Sequence, residues 1–504
     1  MNIDNTYIVN PAYKLRSDLK RVIITNNNSL LYGFDELYGK KTNVQSSFSW
    51  ILHPDLAYIF SEFDGSKTLR EIINDLSKEF DLPEEDMLNT IANFIDNEET
   101  VMIPVPDSYA FYVPQNFLIR KEDGMKPKLL SKDEIAKIAN EELDFHSYRH
   151  HIPNEMSIMI NNKCVVDCEY CYADKSINVP NSLPFQRVKE LIKEASELGL
   201  RDVAIGGGEF FLYPNWRELI DELHKYEYAP YISTKHPLDE EMVNTLKNKG
   251  IKTIQLSIDT VDNSEIRKIL NVGENYLEKV MKGVQLLNDA GIEMIVKPVI
   301  TKYNDSIQSV SNLLHWLSNF PMVIHVNIAP GAYSIYKEFN YSTTVEKIKK
   351  IDNFIKESKA KFHFPILVQG YEYEFTLETK LETFPRRSLC SGNATSFYIL
   401  PDGKVTICEQ MYWQPFFILG NVSTHSIMEV WNSKKALALW NYSQEEVREE
   451  SPCKQCDEFD NCRRGLGNCW RIAIAAYGVE NYDYPAPNCP KSLPITRPYY
   501  MPEK

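Results

Sequence analysis

The placement of ten cysteines constrains this chain more than any other feature. None occurs before Cys164, and three then follow within eight residues: Cys164, Cys168 and Cys171. The remaining seven, Cys390, Cys408, Cys453, Cys456, Cys462, Cys469 and Cys489, lie in the last quarter. The amino terminus, MNIDNTYIVNPAYK, has no basic stretch followed by an apolar one and does not read as an export signal. A cytoplasmic location is therefore expected. Cytosolic thiols stay reduced, which disfavours disulfides and leaves metal binding as the chemistry of clustered cysteines. No apolar run approaches the ~20 residues that cross a bilayer, so no membrane partner is expected. Acidic residues outnumber basic ones by 70 to 55, for a net charge of −15. Such a chain repels phosphate backbones, and no nucleic-acid partner is expected either.

From about 153 to 330, short apolar runs alternate with amphipathic stretches of helix length. The runs are EMSIMI (155–160), DVAIG (202–206), YIS (231–233), TIQLSID (253–259), MIVKPVI (294–300) and VIHVNIA (323–329). Strands alternating with helices predict an α/β fold with a parallel sheet, open to curling into part of a (β/α) barrel. The expected divisions are a first domain over 1–105, a linker or bridging region over 106–152, the alternating region over 153–345, a bridging helix over 346–388, and a cysteine-rich domain over 389–504.

Cys164-x3-Cys168-x2-Cys171 follows directly on the first of these strands, a position that barrels place at the active-site face. Three thiolates can hold three irons of a [4Fe–4S] cluster and leave the fourth open. Structural zinc takes four ligands, and no fourth Cys or His lies near this loop. The stretch KCVVDCEYCYADK resembles the cluster motif of the radical S-adenosylmethionine (SAM) enzymes. The resemblance implies a partial (β/α)6 barrel, with SAM bound on the open iron and cleaved reductively. The resulting 5′-deoxyadenosyl radical abstracts a substrate hydrogen. Gly206-Gly207-Gly208-Glu209 closes the second strand as the family's GGE motif does, which implies that Gly207, Gly208 and Glu209 meet the cofactor's ammonium. Ser233-Thr234-Lys235 stands where the family usually has Thr-Asn-Gly, implying cofactor contacts for Ser233 and Lys235. Ser257 and Asp259 end the fourth strand, where relatives contact the ribose. Tyr170 precedes the third cysteine, where an aromatic packs near the adenine. Arg267 falls where many relatives hold the cofactor's carboxylate; the alternative is a solvated helix charge.

Gly403-x4-Cys408 and Cys453-x2-Cys456-x5-Cys462 resemble the SPASM domain, an auxiliary-cluster extension of radical enzymes that modify peptides. The spacings Cys462-x6-Cys469 and Cys390-x17-Cys408 are longer than its usual pattern. By resemblance, Cys453, Cys456, Cys462 and Cys489 ligate one [4Fe–4S] cluster, while Cys390, Cys408 and Cys469 hold another. Three clusters then use all ten cysteines. One iron of the second tail cluster is left for a substrate thiolate, a water or another side chain. Glu409 matches a position where some relatives carry an acidic general base and is the catalytic candidate; the alternative is an exposed structural glutamate.

Residues 49–105 show helical periodicity, a turn at Asp64-Gly65 and a closing strand-like VMIPV. His53-Pro54, Asp64-Gly65, Thr68 and Glu71 resemble the PqqD-like recognition domain, a winged-helix module. Between 53 and 99 there are 13 acids against 3 bases, which argues against DNA. The resemblance implies a precursor peptide whose leader adds as an extra strand. The expected function is maturation of a ribosomally made peptide, with a thioether from a Cys to a carbon as the natural product. Carbon–carbon crosslinking, epimerisation, a sulfatase-maturase-like formation of formylglycine and a non-catalytic scaffold are the alternatives. A reductant such as flavodoxin or ferredoxin is the expected electron partner.

Overall fold

The computed structural model describes residues 1–26, 48–105, 109–175, 177, 179, 182–331, 334–336, 341–369, 376–387 and 389–497. They form two compact units, Met1–Glu155 with Glu194–Val203, and Met156–Lys193 with Ala204–Lys504.

Among the described residues, the first part of the chain holds seven strands: β1 (Tyr7–Val9), β2 (Tyr13–Ser17), β3 (Val22–Asn26), β4 (Ser49–Leu52), β5 (Val101–Val105), β6 (Tyr109–Val113) and β7 (Leu118–Arg120). β2, β3 and β4 make an antiparallel sheet, β5 pairs with β6, and β1 pairs with β7. Helices Pro54–Ser61, Leu69–Glu79, Glu84–Ala92 and Lys132–Ala139 complete it. The residues that carried the sequence resemblance turn out to be element boundaries. His53 is extended (φ −66°, ψ 141°) and its ring accepts the Asp55 N–H, so the helix starts at Pro54. A residue before proline is pushed out of the helical region, which makes SWIL strand β4 rather than the start of a helical stretch. Asp64 accepts the Ser66 N–H in the turn where Gly65 has φ +88°. Thr68 and Glu71 form a reciprocal cap on the second helix.

Residues 109–152 are not a linker. Val113, Phe117, Leu118, Leu130, Ile135 and Ile138 join the same buried core as Ile24, Leu52, Phe60 and Leu76. Their apolar positions are scattered among Pro, Lys and turn residues, so no periodicity announced them. Residues 106–108 lie outside the described residues. A buried polar network fastens the β2–β3 hairpin to this region. Arg21 donates to Asp18 (2.8 Å) and to the carbonyls of Ser147 (2.6 Å) and Arg149 (3.0 Å), and Asp18 accepts the Ile152 N–H (2.7 Å).

In the second part of the chain lie β8 (Glu155–Met159), β9 (Asp202–Gly206), β10 (Ser233–Thr234), β11 (Thr253–Leu256), β12 (Glu293–Val296), β13 (Val299–Ile300), β14 (Val323–Pro330), β15 (Ile366–Val368), β16 (Ser396–Ile399), β17 (Lys404–Thr406) and β18 (Ile418–Asn421). β10, β11, β12 and β14 run parallel in that order, and β13 and β15 also lie parallel to β14. Strands stand at all six expected places, although the one expected over 231–233 is shifted to Ser233–Thr234, and helices such as Trp216–Lys225 and Tyr276–Ala290 separate them, as a partial (β/α)6 barrel requires. A second sheet runs β18-β17-β16-β8-β9, so the tail's antiparallel strands pair onto the strand that leads into the three-cysteine loop. The hairpin turn between β16 and β17 uses Gly403 (φ +82°), where a Cβ would stand 2.6 Å from Asn421 Oδ1.

The bridging helix expected over 346–388 is corrected. Its helix is Val345–Ser358, after which β15 pairs in parallel with β14 and a short helix spans Leu377–Thr383. Ile366-Leu367-Val368 lies beyond the 153–345 stretch in which strands were expected. Residues 370–375 and 388 lie outside the described residues. Among the described residues no helix is long and apolar enough to cross a membrane.

Candidate functional site

The chain leaving β8 is joined to the GGGE turn by its backbone. Gly206 O accepts the Ile160 N–H (3.1 Å), Asn161 O the Gly208 N–H (2.8 Å), and Lys163 O the Glu209 N–H (2.7 Å). A Cβ on Gly207 (φ +129°) would lie 2.5 Å from Asn161 O, and one on Gly208 only 2.0 Å from Lys163 O. The glycines therefore have a reason of their own to be there: they let the turn lie directly against the loop that carries Cys164.

Glu209 follows, buried and constrained. Its Oε1 accepts the Thr234 hydroxyl (2.7 Å) and the Phe211 N–H (3.3 Å), and its Oε2 accepts the Lys235 N–H (3.1 Å). A carboxylate offers about four acceptor positions. Among the described residues one remains unfilled on Oε2, which suits a single further donor such as an ammonium.

Asp259, at the end of the β11 run, has a wholly buried side chain. It accepts the Tyr170 hydroxyl (2.7 Å), the Val299 N–H (2.9 Å) and the Lys235 ammonium (3.2 Å). Lys235 also donates to Ser257 O (3.0 Å) and sits 5.3 Å over the Tyr170 ring. Burial, with Asp259 beside it, holds the Tyr170 hydroxyl well above its usual range. Ser233 and Ser257 are linked through Gln255, whose Nε2 donates to Ser233 (2.6 Å) and weakly to Ser257 (3.4 Å). The structure thus brings Tyr170, Lys235, Ser257 and Asp259 into one cluster. Arg267 instead pairs with Glu274 (3.1 Å), with side chains 49% and 76% exposed, the arrangement of a solvated helix charge.

Three contributors escaped the sequence reading. Thr234 stood inside the Ser-Thr-Lys triplet without being assigned a role. Gln255 is a polar residue within the apolar run TIQLSID, a signal that was available. Tyr276 donates to Lys235 O (2.6 Å) from the start of a helix, and nothing local marks it.

The cysteines gather as three groups. Cys164 and Cys168 each lie within electrostatic reach of Cys171. Cys168 is buried, and burial pushes its thiol up to about 12 while Lys235 pulls it back. Cys390 and Cys408 both face Cys469 and Arg471. Cys489 faces Cys453, Cys462 and Cys456. Among the described residues no three His, Cys, Asp or Glu side chains are arranged about a single metal ion. An iron–sulfur cluster holds its thiolates further apart than one ion does, and an all-thiol donor set is the set such clusters take. Beside Cys390 there is space, a cavity also lined by Asn393, Arg463, Gly467, Asn468 and Trp470.

Glu409 lies between two loops. Burial raises its carboxyl above the usual range, opposed by Arg471. Tyr172 and Tyr412 both feel its charge, and both also feel Cys171. Tyr412, Leu400 and Met159 form a small core with Ala173 packed against it, which brings the loop after Cys408 onto the loop after Cys171.

Residues 158–316 match the profile of the radical SAM superfamily, and residues 390–457 that of SPASM, an iron–sulfur cluster-binding domain. The chain carries a radical SAM domain and a SPASM domain. The radical SAM match takes in Cys164, Cys168, Cys171, Glu209, Lys235 and Asp259, and the SPASM match takes in Cys390, Cys408, Cys453 and Cys456. The protein is a radical SAM enzyme, with a [4Fe–4S] cluster and SAM as its cofactor classes. It is 22% identical over 404 residues to the sporulation killing factor maturation protein SkfB of Bacillus subtilis, covering 72% of this chain and 92% of that one. A probable GTP 3′,8-cyclase of Archaeoglobus fulgidus is 24% identical over 208 residues, 40% of this chain and 69% of the relative. The crystal structure of Streptococcus suis SuiB bound to precursor peptide SuiA shares the fold with a TM-score of 0.64. It is 14% identical and covers 95% of this chain and 98% of that one.

Proposed function

We propose that this radical SAM enzyme matures a ribosomally made precursor peptide, joining a Cys sulfur to a carbon as a thioether. One observation carries the reading. The likeness to SuiB, a protein described with its precursor peptide, runs through 95% of the chain, whereas the cyclase match spans 40%. The likeness therefore extends over the unit ahead of the barrel and over the tail, which a cyclase reading leaves without a task.

Bound together, cluster and SAM supply a radical able to take a hydrogen atom from carbon. Cys164, Cys168 and Cys171 hold that cluster. The open acceptor on Glu209 would take the cofactor's ammonium, Lys235 would hold its carboxylate, and Tyr170 would line the adenine. Thioether closure removes the carbon-bound hydrogen as an atom and the thiol hydrogen as a proton, and leaves one electron. Glu409 accepts the proton; a carboxyl with raised proton affinity suits that transfer. The two cysteine groups of the tail would hold the clusters able to take up that electron. In the first unit a leader segment adds as a strand, and a flavodoxin or ferredoxin provides the reducing electron.

The test is anaerobic incubation with reductant, SAM and a leader-bearing precursor peptide. A peptide lighter by two hydrogen atoms, with one Cys no longer open to alkylation, is expected. Loss of hydrogen with every thiol still alkylated favours a carbon–carbon link. An unchanged mass with an inverted stereocentre favours epimerisation, and formylglycine marks the sulfatase-maturase type. Absence of 5′-deoxyadenosine would refute the enzyme reading.

A further inference from the structure

The four-thiol group of the tail is surrounded by nitrogen donors. Arg387 Nη2 donates to Cys462 Sγ (3.1 Å), and Arg463 Nη2 lies 3.9 Å from Cys453 Sγ. Lys491 reaches Cys456 through its ammonium and donates its backbone N–H to Cys489 Sγ (3.4 Å). All four thiols thus meet a donor, and three of those donors are cationic groups.

The two arginines are fixed without losing their charge. Arg387 also donates to Phe384 O (2.8 Å) and Gly467 O (3.2 Å), and its guanidinium lies 3.8 Å over the Phe384 ring. Arg463 donates to Asp483 O (3.2 Å) and lies 4.7 Å over Trp470. Backbone carbonyls and ring faces orient a guanidinium but do not neutralise it as a carboxylate would. Arg463 Nη1 is buried and, among the described residues, has no acceptor. It belongs to the side chain that shares a cavity with Cys390, so Arg463 stands between the four-thiol group and the three-thiol group.

We infer that Arg387, Arg463 and Lys491 raise the reduction potential of the cluster held by Cys453, Cys456, Cys462 and Cys489, and so make that group the electron sink of the tail. This rests on the cluster assignment proposed above. A cluster that gains an electron gains a negative charge, and hydrogen bonds to its sulfurs together with nearby cations stabilise the reduced form. The incoming electron is the one left when the substrate radical closes its bond. It departs to an oxidised carrier of the flavodoxin or ferredoxin class, which completes the balance.

The test is a redox titration of the reconstituted full-length enzyme, followed by electron paramagnetic resonance. The signal of this group is assigned as the one lost when Cys453 and Cys462 become Ala. In Arg387→Met and in Lys491→Met its midpoint should fall, and fall further in the double variant, with iron content and the remaining signals unchanged. Arg387→Lys should restore part of the shift. Lys491 is exposed, so its variant keeps the test valid if Arg387→Met proves unstable. An unchanged midpoint with full iron would overturn the inference and spare the assignment. If no iron and no signal depend on Cys453 and Cys462, the assignment fails and the inference falls with it.

Discussion

Lys235 and Asp259 show how much of the candidate site hangs on one ion pair. The carboxylate is wholly buried, and the ammonium 3.2 Å away is 13% exposed. Removing one partner of a buried pair costs about 3–5 kcal/mol, because the other charge stays behind without compensation. Lys235→Met should therefore lower the unfolding free energy by about 3 kcal/mol, and Asp259→Asn in the same chain should recover part of it, as denaturant melts would show. The same variant should weaken SAM binding about tenfold, the worth of one charge-assisted hydrogen bond, measured by equilibrium dialysis. Gly208 is equally exacting for a steric reason. Gly208→Ala puts a methyl carbon 2.0 Å from Lys163 O, so the turn must part from the cysteine loop. About a third of the iron and nearly all 5′-deoxyadenosine formation should be lost, while the tail's share of iron survives.

The β2–β3 hairpin carries a pH-sensitive clamp. His150 Nδ1 faces Arg16 Nη2 at 3.0 Å, as the neutral ring allows. Burial pushes the ring down to about 3, with Asp18 opposing and Arg16 and Arg21 assisting. In the unfolded chain the ring titrates near its ordinary value of about 6.5. Between these values the unfolded state binds the proton and the folded state does not, so stability falls with pH at about 1.4 kcal/mol per unit. The contribution is whole above about pH 6.5 and is lost progressively down to about pH 3. His150→Gln should flatten that slope, which thermal melts across the window would record. The helices of the same unit illustrate what short patterns can convey. Thr68 with Glu71, and Ser131 with Glu134, form the reciprocal caps that their spacing suggests. The hairpin clamp has no such pattern, because its two sides, Arg21 and the carbonyls of Asp144 and Ser147, are more than 120 positions apart.

For the molecule as a whole, the extent of the first unit changes what a truncation tests. A cut after Val105 would remove the partners of Phe117, Leu118, Ile135 and Ile138, which share one core with the preceding strands and helices. That protein should aggregate, as size-exclusion chromatography would reveal. A cut after Ile152 removes those residues together. It should keep SAM cleavage and lose most modification of a leader-bearing precursor; equal loss of both activities would argue that the first unit is structural. Reconstituted intact enzyme should carry about 12 irons per chain if the ten thiols divide among three clusters. Stoichiometric zinc with little iron would contradict that division.

What the sequence determined by itself was whatever is written locally. The alternation of apolar runs specified the barrel strands, because each strand and its helix fit within about 40 residues of chain. The cysteine spacings placed three thiols on one loop, whereas His53-Pro54 and Thr68-Glu71, read as marks of a recognition domain, are helix starts held by contacts two or three residues apart. Tertiary structure decided the rest, where partners come from distant strands. It filled three of the acceptor positions of Glu209 using Phe211, Thr234 and Lys235, and it turned Arg267 outward to Glu274. It also recruited β15 into the barrel sheet and Val113, Phe117, Leu118, Leu130, Ile135 and Ile138 into the first core. It set Arg387 against Cys462, 75 residues away. Burial and hydrogen bonding between remote segments depend on how the elements pack, and spacing along the chain does not encode that geometry.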